Sequence, residues 1–247
     1  MRMQSMGTGK ISAMLVCCML CVLSCGYAQG KNFSDETELA YLDTAGNTDV
    51  VVFSAKNSMQ YAFSEYVEGV WKVSGRYGKS SGVKNVERYS SELRINYLFA
   101  DKLYSSVISK WATDEFAGIH WQYYIGPALG YHFIEGPTHF LSMEAGINYT
   151  VVDYTDHAVD RSFEGRAFTG YEYVITQMTK LKSSIEFFYN FEESKAFNIN
   201  SEISLVNTLD EYFGVKTSLE VEYNNKPIPS TLKKTDTVLS FAIVFTY

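Results

Sequence analysis

The chain has 247 residues and a formal net charge of −7, with 28 acidic residues against 21 basic ones. An acidic surplus argues against a nucleic-acid partner, because phosphate groups are bound by basic surfaces. All four cysteines lie at or before Cys25, so the rest of the chain can form neither a disulfide nor a thiolate metal site.

The first 28 residues have the composition of a secretory signal peptide. Arg2 and Lys10 supply a positively charged start, and the stretch from Ile11 to Cys25 is almost entirely apolar. This stretch is too short for a comfortable transmembrane helix. Small residues before the end of the segment predict cleavage after Ala28, which leaves residues 29–247 as one domain.

A lipoprotein signal is the alternative interpretation of the same segment. Val22-Leu23-Ser24-Cys25 resembles a lipobox, in which Cys25 would be lipidated after cleavage. A leucine directly before the serine fits that motif poorly. Simple cleavage after Ala28 is therefore the expected outcome, and lipidation of Cys25 stays open.

From Asp35 onward, large apolar residues alternate with polar or small ones in segments of about ten residues, separated by turn residues. A side-chain period of two indicates β-strands. Twelve strands are predicted, and the apolar series of each begins at Thr37, Val51, Trp71, Tyr89, Leu103, Trp121, Leu141, Phe163, Leu181, Phe197, Phe213 and Leu239.

Turn residues separate these segments. Ala45-Gly46-Asn47 supplies the residues that a tight hairpin needs for positive φ. Glu135-Gly136-Pro137 and Lys226-Pro227-Ile228-Pro229 predict two further loops. Pro127 lies inside the sixth predicted strand, where it cannot donate to a ladder, so it should mark a bulge or a local break.

The last nine residues form the clearest strand. Their apolar face ends in an aromatic residue at the carboxyl terminus, as in the strand that closes an outer-membrane barrel. We expect this face to carry the signal read by the barrel-assembly machinery: Phe241, Ile243, Phe245 and Tyr247.

Aromatic residues concentrate at the predicted strand ends and form two belts, as expected for two membrane interfaces. One rim is predicted to carry Tyr41, Tyr77, Tyr89, Trp111, Trp121, Tyr149, Tyr189, Phe197 and Tyr223. The other rim is predicted to carry Tyr61, Trp71, Tyr97, Phe99, Phe133, Phe213 and Tyr247.

Charged residues crowd the alternate positions of the strands. A basic residue on the lipid-facing side costs roughly 2–4 kcal/mol at mid-depth, so these positions are expected to face inward. The predicted lumen charge network consists of Lys56, Lys72, Arg76, Arg88, Glu92, Arg94, Glu144, Glu164, Arg166, Lys182, Glu186, Glu202, Lys216, Glu220 and Glu222. Such a network either fills a small barrel structurally or lines a narrow water-filled path for small solutes.

These patterns predict an all-β protein: a single antiparallel transmembrane β-barrel of about 12 strands in contact with outer-membrane lipid. An even strand count places both chain ends on the periplasmic side. A soluble sandwich would bury its apolar face instead, and a soluble periplasmic β protein is the minor alternative.

No catalytic residue, metal site or cofactor site is predicted. The four histidines are not clustered at ligand spacing. One predicted outer loop carries four ionisable residues that could hold a cation or act as an acid–base group: Asp153, Asp156, His157 and Asp160. Ser109, with His120 predicted to point inward, is the nearest match to a surface hydrolase. A hydrolase is thus the alternative to a non-enzymatic barrel.

Three short motifs, in this order and spacing, resemble a known family: Leu42 to Asp49, Glu87 to Ser90, and Lys233 to Thr237. The family is that of the YdiY-like, salt-induced outer membrane proteins, a domain family of unknown function. The resemblance covers essentially all of residues 29–247. It implies a Gram-negative outer-membrane barrel with a link to stress, and it brings no established catalytic residues.

Overall fold

The computed structural model describes residues 32–44, 50–193, 195–228 and 230–247. The expected signal segment and the expected turn at Ala45-Gly46-Asn47 lie outside the described residues. The described strands are β1 (Phe33–Thr44), β2 (Val50–Ala62), β3 (Val67–Ser80), β4 (Val83–Ala100), β5 (Leu103–Asp114), β6 (Ile119–Glu135), β7 (His139–Tyr154), β8 (Val159–Val174), β9 (Thr179–Asn190), β10 (Phe197–Thr208), β11 (Phe213–Asn224) and β12 (Thr235–Thr246).

Each strand pairs with its sequence neighbours, and β1 pairs with β12, so the sheet closes into a barrel. Every pairing is antiparallel. The predicted twelve-stranded antiparallel barrel is therefore confirmed. Among the described residues, no helix is long and apolar enough to cross a membrane.

The barrel has two ends, which differ in their connections. β1 begins and β12 ends at the proximal end, where the hairpin loops span residues 63–66, 101–102, 136–138, 175–178 and 209–212. The opposite, distal end carries the turn between β3 and β4, a short 3-10 turn at Glu115–Ala117 and the ten-residue segment 225–234. Among the connections that the structure describes wholly or in part, the distal segment 225–234 is the longest.

The outer wall is apolar and the inner wall is polar. Along β11, exposed Phe213, Val215 and Leu219 alternate with buried Lys216 and Ser218. A soluble protein buries its apolar face, whereas a membrane barrel presents that face to lipid. The predicted orientation of the β11 side chains is therefore observed, and it extends to Ile203 and Phe241, which are 46% and 67% exposed.

Aromatic rings pack against one another at two levels of the outer wall. Near the proximal end, the ring centroids of Phe213 and Phe245 lie 5.1 Å apart. Near the distal end, those of Phe197 and Tyr223 lie 5.8 Å apart. Phe213 and Tyr223 are ten residues apart on β11; a tilted strand of that length spans about 25 Å along the barrel axis. That height matches the apolar band of an outer-membrane barrel.

Pro127 coincides with an interruption between β6 and β7. The pairing runs from Ile125–Tyr149 to Ala128–Gly146 without a change of register, and Gly126 and Pro127 pair with no residue of β7. The bulges of β6 lie elsewhere, at residues 119–121 and 132–134. A Cβ on Gly126 would stand 2.0 Å from the Ile147 carbonyl oxygen, so the backbones approach too closely there for any side chain. Pro127 thus marks a local break, as expected from the sequence.

Candidate functional site: a charged lumen

Ion pairs between distant strands identify the interior. Arg88 on β4 and Glu222 on β11 are well separated around the wall, yet Arg88 Nη1 lies 2.6 Å from Glu222 Oε2. Two such side chains can meet only through the barrel interior. The same reasoning places Lys216 and Glu38 inside, since β11 and β1 are not neighbours and Lys216 Nζ lies 2.7 Å from Glu38 Oε1.

A buried cluster of polar side chains is centred on Glu144. Glu144 Oε1 accepts hydrogen bonds from Arg94 Nη1 at 2.5 Å and from the Tyr104 hydroxyl at 2.8 Å. Glu144 Oε2 accepts from Arg166 Nη1 at 2.7 Å, and Arg166 Nε donates to Glu186 Oε1 at 2.6 Å. We call these five residues the Glu144 cluster. Charge-assisted bonds of this kind are short and strong.

The Glu144 cluster is almost sealed from water. The side chains of Glu144 and Arg166 are each 2% exposed, and that of Arg94 is 13% exposed. A Cβ on Gly130 would lie 2.2 Å from Tyr104 Cζ, so only glycine leaves room for this ring. The cluster therefore fills its side of the lumen and narrows the bore.

An apolar group adjoins the Glu144 cluster on the same side of the barrel. Ile108, Tyr124 and Phe188 form a buried hydrophobic cluster, with the rings of Tyr124 and Phe188 at 5.6 Å. Ile108 pairs with Arg94 across β4 and β5, and Phe188 pairs with Arg166 across β8 and β9. The low local dielectric strengthens the hydrogen bonds of the Glu144 cluster, and a buried network whose bonds are satisfied is rigid. We therefore expect a rigid constriction of the bore at this level.

A second network, the β11 network, lies on the opposite side of the lumen. Glu220 accepts hydrogen bonds from Lys56 and from Arg76, the latter at 2.9 Å. Lys216 lies 2.8 Å from Glu202 as well as close to Glu38. We define the β11 network as Glu38, Lys56, Arg76, Glu202, Lys216 and Glu220. Its three basic and three acidic side chains balance in charge.

Other inward charges are open to water. The side chain of Lys72 is 54% exposed and lies 3.8 Å from Glu92. Lys182, 39% exposed, lies 3.8 Å from Glu36, and the side chain of Lys180 is 44% exposed. Lys180 and Lys182 are near the proximal start of β9. Water therefore reaches the lumen on the proximal side of the Glu144 cluster.

A cavity of about 600 Å³ occupies the distal part of the lumen. Its wall contains charged residues of both signs from β3, β4, β8 and β11, including Arg76, Arg88, Glu164, Glu220 and Glu222. The distal segment 225–234 contributes apolar residues and lysines to the same wall. The lumen thus combines a distal cavity, a narrow middle and a wet proximal part.

The fifteen residues predicted to form the lumen charge network make either ion pairs or a hydrogen bond to a neutral side chain. Fourteen of the fifteen have an oppositely charged partner within 4.0 Å. The exception is Glu164, whose Oε2 accepts a hydrogen bond from Thr150 at 2.7 Å. Sequence reasoning missed Tyr104, Ile108, Tyr124 and Phe188, since apolar and aromatic residues were expected outside.

The residues considered for hydrolysis or cation binding are not assembled. The Ser109 hydroxyl donates to the Tyr123 hydroxyl at 3.0 Å, and the described structure records no contact between Ser109 and His120. His120 is exposed at the bulge of β6. Asp156 accepts a hydrogen bond from the backbone of Ala158 within its own turn. No group of three or more potential metal ligands occurs in the part of the chain that the structure describes.

Comparison with protein families gives a direct assignment. Residues 37–247 match the family described as "Protein of unknown function, DUF481". The chain belongs to this family. It is also 25% identical over 206 residues to "Uncharacterized protein YdiY" of Escherichia coli strain K12, covering 83% of this chain and 80% of that protein. The resemblance to YdiY-like proteins is therefore confirmed.

Solved structures resemble this DUF481 protein in fold alone. The translocator domain of the autotransporter NalP from Neisseria meningitidis aligns with a TM-score of 0.53 at 11% identity, covering 96% of this chain and 95% of that one. An outer membrane channel from Pseudomonas putida F1 aligns with a TM-score of 0.53 at 9% identity, covering 89% and 97%. Both alignments cover most of each chain and support the barrel fold of this chain.

Proposed function

We propose that this DUF481 protein is a non-enzymatic outer-membrane barrel that forms a narrow, water-filled passive pore for small hydrophilic solutes. The observation that carries the proposal is the lumen itself, in which paired charges narrow the bore while three inward lysines stay exposed to water. Lys72, Lys180 and Lys182 are 54%, 44% and 39% exposed. A barrel filled only for stability would seal such residues as well.

The charge balance of the lumen favours weak ion selectivity. Six basic residues line the distal cavity: Arg76, Arg88, Lys110, Lys226, Lys233 and Lys234. Six acidic residues line it too: Asp114, Asp160, Glu164, Glu220, Glu222 and Asp236. Pore selectivity follows from rings of one sign of charge, and neither sign prevails here. Small neutral or zwitterionic solutes therefore suit this path best.

Export and assembly form part of the same proposal. A signal peptide at residues 1–28 directs the chain across the inner membrane, and the face of Phe241, Ile243, Phe245 and Tyr247 engages the barrel-assembly machinery. The proximal end then faces the periplasm and the distal cavity faces outward. The family resemblance adds a role under salt stress, when solute exchange across the outer membrane changes.

Single-channel recording in planar bilayers tests the pore. We expect small, stable conductance steps that scale with bulk salt and show weak ion selectivity. Lys72→Glu should shift the reversal potential toward cation preference, because this exposed ammonium lines the lumen. Lys79→Glu is the matched control: Lys79 packs over the outward ring of Tyr77, so the same charge change lies outside the lumen. A protein that is folded and inserted but electrically silent would refute the pore.

A further inference from the structure

Charges of the two signs lie on different sides of the distal cavity. Where β6 to β10 form the cavity wall, its charged residues are Asp160 and Glu164, and both are acidic. The basic strand residues of the wall, Arg76, Arg88 and Lys110, come from β3, β4 and β5. The total charge of the cavity is balanced, but this separation of the two signs produces an electric field across the lumen.

Lys110 is the most loosely paired of these three basic residues. Its Nζ lies 3.8 Å from Glu92, beyond hydrogen-bond distance, and Lys72 lies at the same distance from the same carboxylate. Two ammonium groups therefore share one carboxylate. Arg76 and Arg88, by contrast, each have a carboxylate oxygen within 2.9 Å. Lys110 is thus the wall cation with most capacity for a further anionic partner.

Glu164 is the corresponding anion on the other side. Among the described residues no basic group lies within 4.0 Å of its carboxylate, and its recorded side-chain bond comes from the Thr150 hydroxyl at 2.7 Å. Its cross-strand neighbours are two amides, Asn148 on β7 and Asn190 on β9. A carboxylate in a partly enclosed site is costly without a counter-charge. A cationic group from outside the chain would therefore be stabilised here.

The rings of Tyr124 and Phe188 form the floor between these two charges. Both residues line the cavity, and their ring centroids lie 5.6 Å apart. Lys110 pairs with Tyr124 across β5 and β6, whereas Glu164 pairs with Asn190, two residues from Phe188 on the same face of β9. Ring faces attract ammonium groups and pack against methylene groups. The floor therefore runs from a cationic side to an anionic side over apolar ring surface.

We propose that the floor of the distal cavity binds a small zwitterion, with an ammonium and a carboxylate group at the two ends of a short aliphatic chain. The ammonium pairs with Glu164, the carboxylate with Lys110, and the chain lies over Tyr124 and Phe188. A cavity of about 600 Å³ has the size of a small-molecule site.

This site gives the class of solute for the pore and rests on the proposed function for its role in passage. Binding itself does not require an open pore. A solute that passes through a pore must be held weakly enough to leave again. Weak but saturable binding is therefore the expected behaviour.

Calorimetric titration of the protein in lipid nanodiscs with 4-aminobutanoate is the direct test. We expect saturable binding of this zwitterion. Butylammonium and butanoate each carry one of its two charges and should bind at least about tenfold more weakly, because each loses one charge-assisted bond. Absence of saturable binding would overturn the proposal. Equal binding of butylammonium would also overturn it, since the site would then recognise a cation alone.

Two substitutions show which residue meets which end of the ligand. Glu164→Gln should weaken the binding of 4-aminobutanoate about tenfold and leave that of butanoate unchanged, because only the partner of the ammonium is lost. Lys110→Gln should weaken 4-aminobutanoate to a similar extent and leave butylammonium unchanged. A general distortion of the cavity would weaken all three ligands in both variants, and that result would contradict the assignment.

Glu172→Gln and Lys182→Gln are the matched controls. Glu172 lies 3.0 Å from Lys180, and Lys182 lies 3.8 Å from Glu36, toward the proximal end. Neither residue belongs to the wall of the distal cavity. Both controls should bind 4-aminobutanoate like the native protein. A loss as large as that of Glu164→Gln would mean that binding follows the overall charge of the lumen, and would refute the site.

Binding and conduction can fail separately. A silent channel that still binds 4-aminobutanoate would refute only the pore, whereas a conducting channel without saturable binding would refute only the site. In a conducting channel, 4-aminobutanoate should reduce the single-channel current with a half-maximal effect at its dissociation constant. No reduction at a saturating concentration would contradict a binding site in the lumen.

Discussion

Glu144→Ala should lower the free energy of unfolding by about 3 kcal/mol, because removing one member of a buried ion pair leaves the other charge uncompensated. Arg94 loses its one recorded ionic partner, and Arg166 keeps only Glu186. Solvent should screen this loss of stability very little, since the side chains of Glu144 and Arg166 are each 2% exposed. Urea unfolding in lipid vesicles, followed by tryptophan fluorescence, measures the change.

Glu222→Ala is the matched control for this loss. Glu222 also pairs with an arginine, but its side chain and that of Arg88 are each 35% exposed. Solvent screens such a pair, so its removal should cost less than about 1 kcal/mol. Equal losses for the two variants would show that the Glu144 cluster is no more buried than the rest of the lumen, and would contradict the constriction.

Replacing Arg94 and Glu144 together by alanine should widen the pore. The double substitution removes one charge of each sign and leaves the Arg166–Glu186 pair, at 2.6 Å, in place. It therefore changes the bore rather than the net charge of the lumen. We expect single-channel conductance to rise roughly two- to threefold, because the narrowest part of a pore dominates its resistance. The double variant should also recover part of the stability lost in Glu144→Ala, since the unpaired guanidinium is gone.

The matched control for widening is Ser218→Ala with Ser240→Ala. This pair is joined by a 2.7 Å contact on the inner wall of β11 and β12, away from the Glu144 cluster. It removes two polar groups and leaves the constriction intact, so conductance should stay at the native value. If the double variant Arg94→Ala with Glu144→Ala has the native conductance, the narrowest point of the pore lies outside the Glu144 cluster.

The period-two alternation was enough to predict the number of strands and their antiparallel closure. On β11, Lys216 and Glu220 could be assigned to the interior because both neighbours of each are apolar or small and suited to the outer wall. On β5 the pattern is weaker, since Ser105 and Ser109 fall on the outward side and Ile108 falls on the inward side. The apolar group around Ile108 was missed for this reason.

The partners of the charged residues could not be predicted from the sequence. Contacts such as Arg88 with Glu222 join strands that are far apart in sequence and around the wall. They depend on the stagger of the strands and on how far each side chain reaches across the lumen.

Quenching of the native tryptophans by brominated lipids tests the central claim, that the apolar wall faces hydrocarbon and the charges face the lumen. Trp71 and Trp111, 45% and 42% exposed, lie on the outer wall, and the third tryptophan, Trp121, belongs to the same outward series. In vesicles, brominated acyl chains should quench most of the fluorescence and aqueous iodide should quench little of it. Strong quenching by iodide without quenching by brominated lipid would contradict the account.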